Sequence, residues 1–386
     1  MINPSLPAPS MEALAHSNQL LEYILSQIKI HHGSISFSQY MEFALYTPQL
    51  GYYSAGTKKF GEKGDFITAP EISPLFSQCL AHQCQQILTH FLQGDILEIG
   101  AGSGKMAAHL LMELSRIQAL PKHYFILELS ASLKKQQEET LASLCPELLH
   151  KVVWLNAFPT SRIQGVILAN EVLDAMPVSR FQIQEKKVYE IKVQATHDQL
   201  NYVLSKEVRP EIHALYYSQP WPTHYISEIN LNLTPWIFSI SDVLEAGVVL
   251  LIDYGFPEKE YYHPQRSMGT LMCHYRHYAH TDPFLYPGLQ DITAHVNFTH
   301  VAEAALQSQL EILGYTHQAA FLLGCGLLEF LKIESTNEKS KVLQNSAVHK
   351  LTSPAEMGEL FKVIALGRQF EEPLIGFSLI DKRYAL

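Results

Sequence analysis

The middle of the chain alternates between two hydrophobic patterns. Short, nearly continuous apolar runs occur at "DILEIG" (95–100), "HYFILELS" (123–130), "KVVWLN" (151–156), "GVILANE" (165–171) and "GVVLLIDYG" (247–255). Such runs suit strands covered on both faces. Helical spacings lie between them. "KMAAHLLMELSRI" puts Ala107, Leu110, Leu111, Leu114 and Ile117 on one face, and a polar helix is expected near 131–144. Strand and helix in alternation predict an α/β fold, with a doubly wound, mostly parallel sheet and right-handed crossovers.

The ends depart from that alternation. Apolar residues from Met11 to Ile30 recur at helical spacing, and "SFSQYMEFALY" (36–46) reads as a second helix ending before Pro48. The glycine-punctuated stretch 48–73 reads as a long ordered loop, a type that often carries function. Between 178 and 245, "FQIQEKKVYEIKVQ" and "QLNYVLSKEV" resemble hairpin strands, and "TPWIFSISDVLEAG" a strand running into a helix. This is an expected insertion between the fourth and fifth parallel strands. "QAAFLLGCG" (318–326) and "IGFSLIDKR" (375–383) are expected to supply the last two strands, with a helix at 353–367 between them. The expected organisation is N-terminal helices and a covering loop at 1–75, the main domain at 76–177, an inserted α+β subdomain at 178–245, and the rest of the main domain at 246–386 with a substrate-side loop at 256–300.

Composition narrows the class. A chain of 386 residues exceeds what one hydrophobic core usually organises. Its 28 basic and 38 acidic residues give a net charge of -10, so nucleic acid is not an expected partner. The five cysteines, Cys79, Cys84, Cys145, Cys273 and Cys325, are odd in number and form no CxxC, which argues against a disulfide framework or zinc and for a reducing compartment. The first residues, "MINPSLPAPS", carry no basic residue and no apolar core, and no run of about 18 apolar residues occurs. A cytoplasmic location and no membrane span are expected.

The glycine loop "GDILEIGAGSGKM" (94–106) carries the first chemistry. It fails as a P-loop, because Ile99 stands where the first glycine belongs and Met106 where Ser or Thr belongs. It fails as a dinucleotide fingerprint, because Gly100, Gly102 and Gly104 place the third glycine one residue early. Glu98 would also face a pyrophosphate unfavourably. A carboxylate beside glycines suits a cationic, phosphate-free ligand, and S-adenosylmethionine carries an ammonium and a sulfonium. Glu98 would take the amino group, Gly100 and Gly102 would admit the ligand to the backbone, and Glu128 at the second strand's end would hold the ribose hydroxyls. Such a charge-assisted contact contributes on the order of 1.5–3 kcal/mol. Asn156, after the third strand, is the expected adenine contact. The competing reading is a tight strand–helix turn without a ligand.

These stretches follow one another as they do in a known group. "GYYS", "GDFITAPEIS", "ILEIGAGSGKM", "ANEVLDAMPV", "LIDYGF" and "PGLQDITAHVNFT" resemble, in order, the MidA family of class I methyltransferases, over the chain from about Phe37 onward. That resemblance implies a Rossmann-like seven-stranded methyltransferase sheet and S-adenosylmethionine as cofactor. The family includes the mitochondrial protein arginine methyltransferase that assists complex I assembly, so it also implies a protein substrate, with a respiratory-complex subunit as an example. "GDFITAPEIS" would fold over the cofactor through Asp65, Phe66 and Thr68, with Phe66 excluding water; the alternative is a structural cap on the sheet. Asn297 departs from the family's usual aspartate.

"ILANEVLDAMPV" puts Asn170, Glu171 and Asp174 at the C-terminal edge of the sheet, where ligands of open parallel sheets bind. Asn170 is assigned to the cofactor. Glu171 and Asp174 are the expected catalytic pair, since two carboxylates match the fork of a guanidinium; alternatively one of them caps the next helix. His274, His277 and His280 are spaced by three without a cysteine pattern, and no metal is expected. The expected function is therefore transfer of a methyl group to a protein, on arginine. The alternatives are a different methyl acceptor, or a cofactor-binding assembly factor that works by contact.

Overall fold

The central apolar runs become neighbouring strands of one sheet. In this computed structural model the described residues are 6–55, 68–332 and 338–386. Seven strands are β1 (Asp95–Ile99), β2 (Tyr124–Leu127), β3 (Val152–Leu155), β4 (Ile163–Asn170), β5 (Leu244–Phe256), β6 (Glu311–His317) and β7 (Phe361–Arg368). They lie in the order β6-β7-β5-β4-β1-β2-β3. β1 pairs parallel with β2 and β4, β2 with β3 and β4 with β5, while β7 runs antiparallel to β5 and β6. A two-residue strand, Val296–Asn297, extends the edge beside the end of β5. The order reverses between β1 and β4, which opens a crevice at their C-terminal ends.

Four expectations about the flanking elements are corrected. "QAAFLLGCG" is helical at Gln318–Gly324, and the strand precedes it as β6. The expected helix at 353–367 is a short helix, Met357–Leu360, followed by β7. β7 is inserted between β6 and β5, and its buried pattern needs apolar residues on both faces, so a run that also fits a helical spacing becomes a strand. "IGFSLIDKR" opens with a 3-10 turn at Ile375–Phe377 and supplies no strand. Its end follows the edge of β6, where Lys382 N donates to Tyr315 O at 2.6 Å and Tyr315 N to Asp381 Oδ1 at 3.3 Å. "TPWIFSISDVLEAG" runs from helix (Leu233–Val243) into strand, the reverse of the expected order.

The chain divides into two compact units. One holds the sheet: residues from 68 to Val172, Thr234–Pro257 and Val296–Leu386. Its core packs Leu80, Cys84 and Ile87 of the helix Pro74–Leu88 and Ala107, Leu110 and Leu114 of the helix Lys105–Arg116 with Ile96, Ile126, Val166 and Leu250 of the strands. The other unit combines residues 6–55, Leu173–Leu233 and Glu258–His295. Its helices Met11–Ile30 and Phe37–Tyr46 match the sequence reading. The second starts from a capping box in which Ser36 and Gln39 satisfy each other's backbone N–H. Lys187–Thr196 is the antiparallel partner of Ser34–Ser36, Ser179–Gln184 and Gln199–Ser205, and Tyr225–Ile229 pairs with Ser179–Gln184. No described helix is long and apolar enough to cross a membrane.

Candidate cofactor and active site

The turn after β1 is left-handed at each of its glycines: φ is 70° at Gly100, 52° at Gly102 and 82° at Gly104. Gly100 N still donates to Leu127 O at 3.1 Å, so the loop leaves the sheet from a paired position. Gly104 then opens the helix Lys105–Arg116. A Cβ at Gly104 would stand 3.0 Å from Gln137 Cα. The third glycine is therefore required by the close approach of the helix Ala131–Leu144 as well as by its φ.

The two strand-end acids behave differently. Glu98 is 1% exposed, and its Oε2 accepts a 2.7 Å bond from the Tyr124 hydroxyl. Burial pushes its carboxyl up to about 7, against the lowering effect of the Tyr124 bond and with a smaller raising effect from Glu128. Glu128 follows β2, and its backbone N donates to Leu155 O. Its Oε1 accepts from Ser130 N at 2.8 Å and its Oε2 from Gln137 Nε2 at 2.9 Å. Asn156 follows β3 and is exposed.

The end of β4 carries the third group. Asn170 Nδ2 donates to Glu171 Oε1 at 3.1 Å, while Asn170 Oδ1 is buried with no hydrogen-bond partner among the described residues. Glu171 N donates to Ile252 O on β5, and Glu171 holds a left-handed φ of 53°. A non-glycine residue in that region costs free energy and is concentrated at functional sites. A lone buried acceptor beside a strained acid, at the sheet's switch point, fits a ligand that brings an N–H donor.

The loop expected to cover the cofactor is represented by its second half. Asp65 and Phe66 lie outside the described residues, and Thr68 leads into the helix Ala69–Ile72. In that helix Glu71 is gripped by the glycine loop: it accepts from the Ser103 hydroxyl and pairs with Lys105 Nζ at 2.6 Å. Glu71 is enclosed while Lys105 is 40% exposed, so this joins a buried anchor to a solvated partner.

Asp174 belongs to the second unit and is 5% exposed; its carbonyl accepts from Ala294 N. In the same unit the Tyr53 hydroxyl donates to Asp291 Oδ1 at 2.9 Å, and the Tyr46 and Tyr53 rings stack at 5.5 Å. Burial first, then the charges of Asp291, Tyr46 and Asp174, hold the Tyr53 phenol well above its ordinary range. Sequence reasoning missed both tyrosines and Gln137. Of the three histidines, His274 and His280 lie on paired strands but in different registers, and His277 is in their turn. No group of three or more metal-ligating side chains occurs among the described residues. Asn297 caps the helix Phe298–Gln307, its Oδ1 accepting from His300 N at 3.2 Å; an aspartate would cap it as well. A cleft of about 590 Å³ opens at the opposite edge of the sheet, lined by Arg162, Ser241, Glu245 and Arg368. There the Arg368 guanidinium is taken up by Ser241 O, Leu244 O and Ser308 O, which makes it a buttress.

A parallel sheet of this order, closed by an antiparallel seventh strand, is that of the class I methyltransferases. The profile of a family described as "Putative S-adenosyl-L-methionine-dependent methyltransferase" matches residues 79–316, and the chain belongs to that family. The crystal structure of a Burkholderia thailandensis protein bound to S-adenosyl-homocysteine superposes with a TM-score of 0.96 at 42% identity, covering 99% of this chain and 100% of that one. Protein arginine methyltransferase NDUFAF7 homolog, mitochondrial, of Drosophila melanogaster is 28% identical, over 96% of this chain and 91% of its own. The human Protein arginine methyltransferase NDUFAF7, mitochondrial, is also 28% identical, over 90% of this chain and 83% of its own. The MidA resemblance, the methyltransferase activity and S-adenosylmethionine as cofactor are thereby borne out. The expected cytoplasmic location is corrected: the relatives from Drosophila melanogaster, mouse and human are named as mitochondrial proteins.

Proposed function

We propose that this chain methylates a guanidinium nitrogen of arginine in a protein substrate. What supports the reading most is that the similarity to relatives named protein arginine methyltransferases runs through almost the whole of both chains. When bound, S-adenosylmethionine supplies an electrophilic methyl group on a sulfonium. Gly100 and Gly102 admit it to the backbone, Glu128 takes its ribose hydroxyls, and Asn156 takes its adenine. Asn170 Oδ1 accepts from its ammonium, and such a cation favours the ionised form of Glu98, two residues before Gly100; Asp65, Phe66 and Thr68 are assigned to the same cofactor.

The acceptor side rests on Glu171 and Asp174. A guanidinium must lose a proton as its nitrogen bonds to carbon, and a carboxylate in hydrogen-bond reach is the group to take it. A second carboxylate holds the fork in one orientation. A respiratory-complex subunit, suggested by the family resemblance, is the first protein to try.

The test is mass spectrometry of methylarginine in proteins from cells with and without this chain, alongside Glu171→Gln and Asp174→Asn. Each variant is expected to lower turnover at least about 100-fold and to leave S-adenosylhomocysteine affinity within about threefold. Methylation on a residue other than arginine, or loss of cofactor affinity equal to the loss of turnover, would overturn this assignment.

A further inference from the structure

We propose that Gln137 is a positioning residue that holds the Glu128 carboxylate in the orientation needed to read the cofactor's ribose. The inference rests on the assignment of Glu128 to the ribose hydroxyls. Gln137 is fully buried in the helix Ala131–Leu144. Its Nε2 donates to Glu128 Oε2 at 2.9 Å and to Gly102 O at 3.1 Å, and its Oε1 accepts from Trp154 Nε1 at 3.1 Å. One side chain thus joins the end of β2, the glycine loop and β3.

The chemistry of these partners leaves the amide one orientation. An indole N–H can only donate, so it requires the amide oxygen. The Gly102 carbonyl can only accept, so it requires the amide nitrogen. A flipped amide would set oxygen against the Gly102 carbonyl and N–H against N–H at Trp154. The direction in which Gln137 presents its donors is therefore fixed by β3 and handed to Glu128. Ser130 N holds the other carboxylate oxygen, so the carboxylate is constrained from two sides.

A merely structural glutamine would matter for stability alone, whereas a positioning role predicts a change in ligand selectivity. The probes are S-adenosylhomocysteine and its 2′-deoxy and 3′-deoxy analogues, titrated calorimetrically, with a thermal melt as the check on folding. The wild-type protein should prefer the full ribose by about tenfold or more. Gln137→Leu should lower S-adenosylhomocysteine affinity by about tenfold, and the preference over the deoxy analogues should fall below about threefold. Gln137→Glu has the same shape but sets an acceptor against two acceptors. It should bind poorly at about pH 8 and recover in part near pH 5, where a protonated glutamate can donate again. Trp154→Phe, which removes only the anchor of the amide, gives a third variant should Gln137→Leu fail to fold, with about a threefold loss expected.

A wild-type protein with no preference for the full ribose would overturn the Glu128 assignment and this inference with it. A wild-type preference retained undiminished in Gln137→Leu, or wild-type affinity at pH 8 in Gln137→Glu, would overturn the role of Gln137 alone and leave Glu128 in place.

Discussion

Glu98 and Glu128 close neighbouring strands, and both are more than nine-tenths buried, yet their surroundings differ. Glu98 accepts from the Tyr124 phenol, and the Cys84 thiol is raised by burial first and then by the charge of Glu98. Burial dominates there, and the carboxyl is pushed up to about 7. Glu128 receives N–H donors on both oxygens, from Ser130 and Gln137. Depth outweighs the phenol's bond at Glu98, whereas at Glu128 two N–H donors are aimed at the carboxylate oxygens.

The largest expected effect lies at Glu98. Its carboxyl ionises near 4.5 ordinarily and near 7 in the folded protein. The neutral form therefore stabilises the fold fully below about pH 4.5, and that contribution is lost as pH rises toward 7. Glu98→Gln keeps a neutral acceptor for Tyr124 at every pH. Urea denaturation without ligand should find it more stable than wild type above pH 7, by on the order of 3 kcal/mol, with the gap closing toward pH 4.5. A constant gap would mean that Glu98 does not titrate in this range.

A smaller effect is expected at Glu128. Glu128→Gln removes the charge and should cost roughly 10- to 100-fold in S-adenosylhomocysteine affinity by calorimetry. Unchanged affinity would erase the distinction between the two acids. The smallest effect belongs to Tyr124→Phe, which should destabilise by about 1 kcal/mol at neutral pH. It should also move the stability loss of Glu98 to higher pH, because the phenol is what holds that carboxyl down. A shift the other way would show that the phenol does not hold that carboxyl down.

The central strands were legible because each is a short apolar run, most of them largely buried, while the edge strand Val152–Leu155 is only partly covered. The C-terminal elements were not, for two local reasons. Phe361–Arg368 allows both helical and strand spacing, and only its place between two other strands decides. Gln318–Gly324 is an apolar run too short for periodicity to distinguish strand from helix. In the site, glycine spacing and strand-end acids were readable because they are local. Gln137 was not: in a polar helix a glutamine reads as surface, and only the approach of Gly104, Glu128 and Trp154 makes it interior. The stacking of Tyr46 and Tyr53 likewise depends on packing that no spacing announces.

Gly104 has a consequence for motion as well. With Gln137 against it and the Gly102 carbonyl bonded to the Gln137 amide, the loop cannot swing open without carrying the helix Ala131–Leu144 along. Its backbone is held by contacts within the protein itself, so little ordering entropy is lost there on association. Exchange of spent cofactor for fresh must then be timed by some other part of the molecule, and the glycine turn acts as its fixed floor.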